Sequence, residues 1–206
     1  GNGMDRAVGR QLRGTLSAIR SQTAETAADC DPDGLTEAMM AHSDKLEATA
    51  ESARTVREVV QSRGQRRELS VGDVIEEATA ATPDLPAGVD LVVDTETTAT
   101  VIAHPKLPTA IAQLIENAIE HGVADNGTVQ LTATTDDDQV IIRVTDNGPG
   151  IPQNELAVID QAEESALNHA SGVGLWLISR IIAYSDGDLS FEIDNGTIAR
   201  LTLKRA

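Results

Sequence analysis

Val140-Ile141-Ile142-Arg143-Val144-Thr145-Asp146-Asn147-Gly148-Pro149-Gly150 decides how the second half of this chain is built. Residues 140 to 144 read as a β-strand. The strand runs into a carboxylate and then into two glycines around a proline, a turn where backbone can approach a ligand closely. Two other segments share this character. Gln113-Leu114-Ile115-Glu116-Asn117-Ala118-Ile119-Glu120-His121 is helical, with Gln113 and Asn117 one turn apart on one face and His121 extending the row. An apolar helix that keeps a polar row offers it to a ligand or to water. Ser171-Gly172-Val173-Gly174-Leu175 opens a helix with Trp176. Glycines at a helix N-terminus leave N–H groups free, which favours phosphate. Alone, each segment reads first as loop chemistry; their order and spacing together are far more specific.

Around these segments the pattern is mixed α and β. Val71 to Ala81 reads as a helix, with Ser70 as its cap. Val89 to Val93 and Thr100 to Ala103 read as strands, and Leu107 to His121 as a helix with an apolar face. Thr128 to Thr134 and Val140 to Val144 flank Asp136-Asp137-Asp138, a hairpin turn rather than a metal site, because a tight turn disperses its side chains. Residues 152 to 171 are polar and read as flexible. A helix from Gly174 to about Tyr184 follows, with Trp176 in its core face. Asp188 to Ile193 and Ile198 to Leu203 then sit either side of an Asn-Gly turn.

The first third differs. Residues 4 to about 28 read as one helix, with Val8, Leu12, Thr15 and Ile19 on a stripe. Cys30-Asp31-Pro32-Asp33-Gly34 breaks it. A second helix runs from Leu35 to Gln61, with Leu35, Met39, His42, Leu46, Thr49, Ala53, Val56 and Val60 on a heptad seam. A lone hairpin cannot bury that seam, so two chains are expected to pair into a four-helix bundle, a homodimer. Ser62-Arg63-Gly64-Gln65-Arg66-Arg67 reads as the linker. The expected domains are thus 1–66 and 67–206.

The chain has 206 residues, 33 acids, 16 bases and a formal charge of -17. That charge argues against nucleic acid and against acidic membrane surfaces as partners. No apolar run approaches the ~20 residues of a bilayer span, and no signal-peptide pattern opens the chain. Cys30 is the single cysteine, which fits a reducing, cytoplasmic setting. Three Lys stand against thirteen Arg, and aromatics are 1% of the chain. Acidity with clear periodicity points to a folded chain adapted to high salt, where self-repulsion is screened.

The three segments, taken together, resemble the ATP-binding domain of sensor histidine kinases, in the GHKL superfamily shared with gyrase, heat-shock chaperone and mismatch-repair ATPases. Gln113 to His121 is similar to the N box, Asp146 to Gly150 to the G1 box and Ser171 to Leu175 to the G2 box. Asn195-Gly196-Thr197 is similar to the closing hairpin. The resemblance covers roughly residues 68 to 206, and the hairpin resembles more weakly the dimerisation domain that precedes it. The whole chain also looks haloarchaeal. The implied fold is α+β: a helical hairpin, then a two-layer α/β sandwich of the Bergerat type with helices on one face of a mixed sheet.

The resemblance implies ATP or ADP and Mg²⁺ as cofactors. Asp146 would accept from the adenine amine and so favour ATP over GTP, with Thr197 assisting. Asn117 would ligate Mg²⁺. His121 would be a weak phosphate contact, and Gly148, Gly150, Gly172 and Gly174 would let backbone close on the nucleotide. Residues 152 to 171 would form a lid, with His169 in it. The implied partner is a response regulator or another kinase.

Departures from the family pattern are equally informative. Gln113 stands where hydrolysing relatives carry a water-activating Glu, and an amide cannot take a proton. Glu120 stands where many members carry a cation, and the F-box phenylalanine is absent. Arg10-Gln11 stands where haloarchaeal relatives have His-Asn, so the usual phosphoacceptor on the first helix is missing. His42 is the remaining acceptor candidate, though its seam position reads first as bundle packing. His104, before Pro105, is expected to end a strand near the surface. Three readings follow: a sensor-kinase core, a non-catalytic nucleotide-binding module acting on a partner, and an anti-sigma-type serine kinase.

Overall fold

The computed structural model describes residues 54–95, 97–122, 127–149, 172–193 and 195–206. Residues 54–61 are helical. Strand β1 (Arg67–Ser70) leads into helix α1 (Val71–Ala80), then β2 (Asp90–Thr95) and β3 (Thr100–Ala103). Helix α2 (Leu107–Asn117) passes into a wide π turn (Ala118–Gly122). Strands β4 (Thr128–Asp136) and β5 (Gln139–Asp146) form a hairpin. Helix α3 (Gly172–Tyr184) precedes a second hairpin, β6 (Asp188–Ile193) and β7 (Thr197–Lys204).

Five strands make one sheet in the order β2-β4-β5-β7-β6. β2 runs parallel to β4, and the remaining pairs are antiparallel. Parallel neighbours need a long crossover, here supplied by β3 and α2. β1 and β3 pair antiparallel as a separate two-stranded sheet. Alternation along the strands sends Val129, Leu131, Val140, Ile142, Leu201 and Leu203 into one core. Ile111, Leu114 and Ile115 of α2 and Ile178, Ile181 and Ile182 of α3 close it. Trp176 lies in that core as expected, with the Arg180 guanidinium 5.7 Å from its ring centre. Val56 and Val59 of the helical stretch 54–61 are buried in the same core.

The local signals act as read. The Ser70 hydroxyl accepts from the Asp73 N–H at the start of α1. Asp137 takes a left-handed conformation (φ 49) in the β4–β5 turn, and Asn195 (φ 51) does so between β6 and β7.

Two expectations need correction. Arg67, read as linker, is the first residue of β1, where it pairs with Ala103. His104, expected near the surface, is fully buried. Its ring and backbone are wholly taken up in hydrogen bonds, which makes burial of an imidazole affordable. Residues 1–53, on which most of the expected helical hairpin and its stripe up to Ala53 fall, lie outside the described residues.

Candidate functional site

β5 ends in Asp146, and that position gives the carboxylate its surroundings. Its Oδ1 accepts from the Gly148 N–H at 2.9 Å, fixing the turn, and from the Thr197 N–H at 3.2 Å. The side chain is buried, and Oδ2 takes no hydrogen bond among the described residues. Asn147 turns the other way, its Oδ1 accepting from the Thr128 N–H at 2.9 Å and tying the turn to the start of β4.

Thr197, the first residue of β7, lies 4% exposed beside this carboxylate, and its Oγ1 has no hydrogen-bond partner. A buried hydroxyl left unpaired costs about 1–3 kcal/mol, so it needs a reason. Gly196 brings β7 this close. Its φ is 144, and a Cβ built there would lie 1.9 Å from the Asp146 carbonyl oxygen. No side chain fits that approach.

The polar row on α2 reaches the same neighbourhood as α3. A Cβ at Gly174 would lie 3.4 Å from Cγ and Cδ of Gln113, so the N-terminal turn of α3 rests on the Gln113 side chain. Gln113 Nε2 donates to Glu116 Oε2 at 2.6 Å. Burial holds the Glu116 carboxyl above the usual carboxylate range; nearby Glu120 adds to this, and the bond from Gln113 opposes it. The Asn117 side chain makes no hydrogen bond among the described residues and is half-buried. It is the last residue of α2, and the π turn that follows carries the backbone of His121. Wide turns of this kind are frequent at functional sites.

Comparison with known proteins gives this arrangement its context. The sequence profile of the family described as "Histidine kinase-, DNA gyrase B-, and HSP90-like ATPase" matches residues 103–206. The chain belongs to this family. The match begins with β3's last residue and takes in α2, the β4–β5 hairpin, α3 and the closing hairpin. Sporulation kinase B of Bacillus subtilis (strain 168) is 27% identical over 100 residues, covering 48% of this chain and 23% of that protein. The sensor-type histidine kinase PrrB of Mycobacterium leprae (strain TN) is 35% identical over 98 residues, covering 46% of this chain and 22% of that protein. Those matches therefore span less than a quarter of either relative. Among solved structures, Acinetobacter baumannii histidine kinase AdeS superposes with a TM-score of 0.71 at 19% identity, covering 94% of this chain and 96% of that one. Histidine kinase ThkA, solved in complex with response regulator protein TrrA, gives 0.70 at 17% identity, covering 100% and 62%. At such identities these two show the fold.

The structure thus brings Asp146, Gly148 and Thr197 into one cluster, and Asn117, Gln113 and Gly174 into a second, on α2 and α3. Gly172 opens α3. Gly150, the remainder of the stretch 151–171, Arg10, His42 and His169 lie outside the described residues. Sequence reasoning missed two contributors. Asn147 and Gly196 were legible only as turn residues, and their true function, a side-chain tie and a close backbone approach, depends on strands distant in sequence.

Proposed function

We propose that this chain is an ATP-binding, histidine-kinase-like signalling protein of the two-component type. The observation that carries this reading is the pairing of Asp146, with one carboxylate oxygen unbonded among the described residues, and Thr197, with an orphaned buried hydroxyl. Adenine would fit both: its exocyclic amine would donate to the Asp146 carboxylate, and a ring nitrogen would accept from the Thr197 hydroxyl. Guanine presents a carbonyl at the amine position, and a carboxylate facing an acceptor loses the bond. Asn117, its side-chain amide without a partner among the described residues, would hold Mg²⁺ through its oxygen, in keeping with the ion's preference for oxygen ligands. Mg²⁺ would supply charge neutralisation at the phosphates. Gly172 and Gly174 would offer N–H groups at the start of α3, with Gly148, Gly150 and His121 around them. Gln113 makes rapid hydrolysis an unsuited task for the site, since its amide cannot act as a base.

Within this reading the chain pairs as a homodimer through its N-terminal hairpin, acts on a response regulator or a partner kinase, and works in a saline cytoplasm. Arg10 at the usual acceptor position favours a second reading, a nucleotide-binding module without autokinase activity. Calorimetry tests the site: ATP or ADP binds with Mg²⁺, GTP binds at least about tenfold more weakly, and Asp146→Asn erases that preference. No nucleotide binding at all removes both readings. Incubation with γ-labelled ATP then separates them. Acid-labile label, at His42 or on a partner, identifies the kinase; binding without transfer identifies the module. Acid-stable label on a partner would instead indicate a serine kinase.

A further inference from the structure

His104 lies between the ends of two helices. Lys106 N–H donates to its Nδ1 at 3.1 Å, so the ring proton sits on Nε2. Nε2 is 3.0 Å from Ser62 Oγ, and that hydroxyl donates to the Glu58 carbonyl in the last turn of the helical stretch 54–61. On the other side, the His104 backbone N–H donates to Ser185 Oγ at 3.0 Å. The Ser185 hydroxyl donates in turn to the Ile181 carbonyl at 2.8 Å, in the last turn of α3. One buried residue therefore joins the C-terminal turns of two helices through two matching hydroxyl relays. Two ion pairs flank it: Lys106 Nζ to Glu58 Oε2 at 2.8 Å, and Arg66 to Asp186. The same α3 that begins at Gly172 and Gly174 thus ends at the point where residues 54–62 are fastened.

We propose that His104 is a protonation-sensitive joint that locks residues 54–62 to the C-terminal end of α3. The joint requires a neutral ring. A second ring proton lands on Nδ1, which then points a donor at the Lys106 N–H, and both groups lose their bond. The charged ring is also buried beside the Lys106 side chain. The other groups facing it are the Ser62 hydroxyl, the Tyr184 ring at 6.1 Å, Ser185, and beyond them Glu58, Arg66 and Asp186. Of these types only an imidazole ordinarily titrates between pH 5 and 8. Glu58 is held further below the carboxylate range by Lys106 and Arg54.

Burial lowers the His104 value below that of a free imidazole; a hydrogen bond with the Ser62 backbone opposes the shift and Lys106 adds to it. The folded form therefore binds fewer protons than the open form. The lock is complete above the ordinary value of about 6.5 and is lost as pH falls from there through the folded value.

Hydrogen exchange on the full chain tests this. After correction for intrinsic rates, protection of residues 58–62 and 181–187 is expected to fall together, by about tenfold, between about pH 7.5 and about pH 5.5. His104→Gln keeps a donor for Ser62 but cannot titrate, and is expected to remove the pH response. Ser62→Ala is expected to lower protection of 58–62 at high pH, to leave 181–187 unchanged and to uncouple 58–62 from pH. A wild-type pH response surviving in His104→Gln, or at residues 58–62 in Ser62→Ala, overturns the proposal. Should His104→Gln fail to fold, Ser62→Ala decides alone, because Ser62 is only half-buried and its loss removes a single relay.

Discussion

At the scale of single residues, the proposed site would trade stability for a ligand, and the trade can be measured. The Thr197 hydroxyl is buried and unpaired. Thr197→Val keeps the shape and deletes the orphan, so the protein is expected to gain about 1 kcal/mol in urea unfolding while ATP binding weakens. A loss of stability would mean that the hydroxyl is paired within the folded chain. Gly196 has the opposite character. Alanine there meets the Asp146 carbonyl oxygen 1.9 Å away in a left-handed conformation. Gly196→Ala is expected to cost at least about 2 kcal/mol, read as a lowered urea midpoint, because hard overlap with backbone adds to dihedral strain. The same residue scale shows where sequence reasoning ends. The places of Asp146 at the end of β5, Asn117 on α2 and Thr197 at the start of β7 were readable from local pattern, since residue type and turn carry that information. The two-sided fastening of His104 was not, because Ser62 and Ser185 lie 42 and 81 residues away from it.

At the scale of elements, legibility followed the length of the local pattern. β4 and β7 alternate over nine and eight residues, β5 does so apart from the run Val140-Ile141-Ile142, and their hairpins carry turn residues with positive φ, so hairpin pairing and register follow from the chain itself. β1 has four residues, Arg-Glu-Leu-Ser, with no alternation to read; it is a strand because β3 lies beside it. The helix expected from Leu107 to His121 changes to a wider π turn after Asn117, which composition does not distinguish from α. The sheet also holds one cross-strand pair against its own interest. Arg143 on β5 stands directly opposite Arg200 on β7, and the Arg200 Nε is buried without a partner. Like charges directly opposite are destabilising. Arg143→Glu gives that guanidinium a carboxylate and is expected to add about 0.5–1 kcal/mol in thermal or urea unfolding. Arg143→Gln serves as the comparison: it relieves repulsion without supplying a partner, so it should gain less. If glutamine gains as much, the pair contributes only through repulsion.

At the scale of the whole molecule, the charge of -17 and the nucleotide reading have to be compatible. They are, because the proposed site relies on Asn117 with Mg²⁺ and on backbone N–H groups, so its positive charge arrives with the metal instead of residing in a basic patch. The acidity then acts on the fold as a whole. Thirty-three acids against sixteen bases repel one another over the surface, and only solvent ions relieve them. The screening length falls from about 10 Å at 0.1 M salt to about 3 Å at 1 M, so repulsion between neighbouring carboxylates fades across that interval. The melting temperature is therefore expected to climb as KCl rises from about 0.1 M to about 1 M, by about 2–4 °C for each kcal/mol of repulsion removed. The hydrophobic core of α2, α3 and the sheet is insensitive to screening, which makes the charge the cause of any such rise. Choline chloride at the same ionic strength separates screening from specific potassium binding: equal curves identify screening. A melting temperature that is already maximal in low salt would show that the acidic surface is tolerated for some other reason, and the saline setting would fall with it.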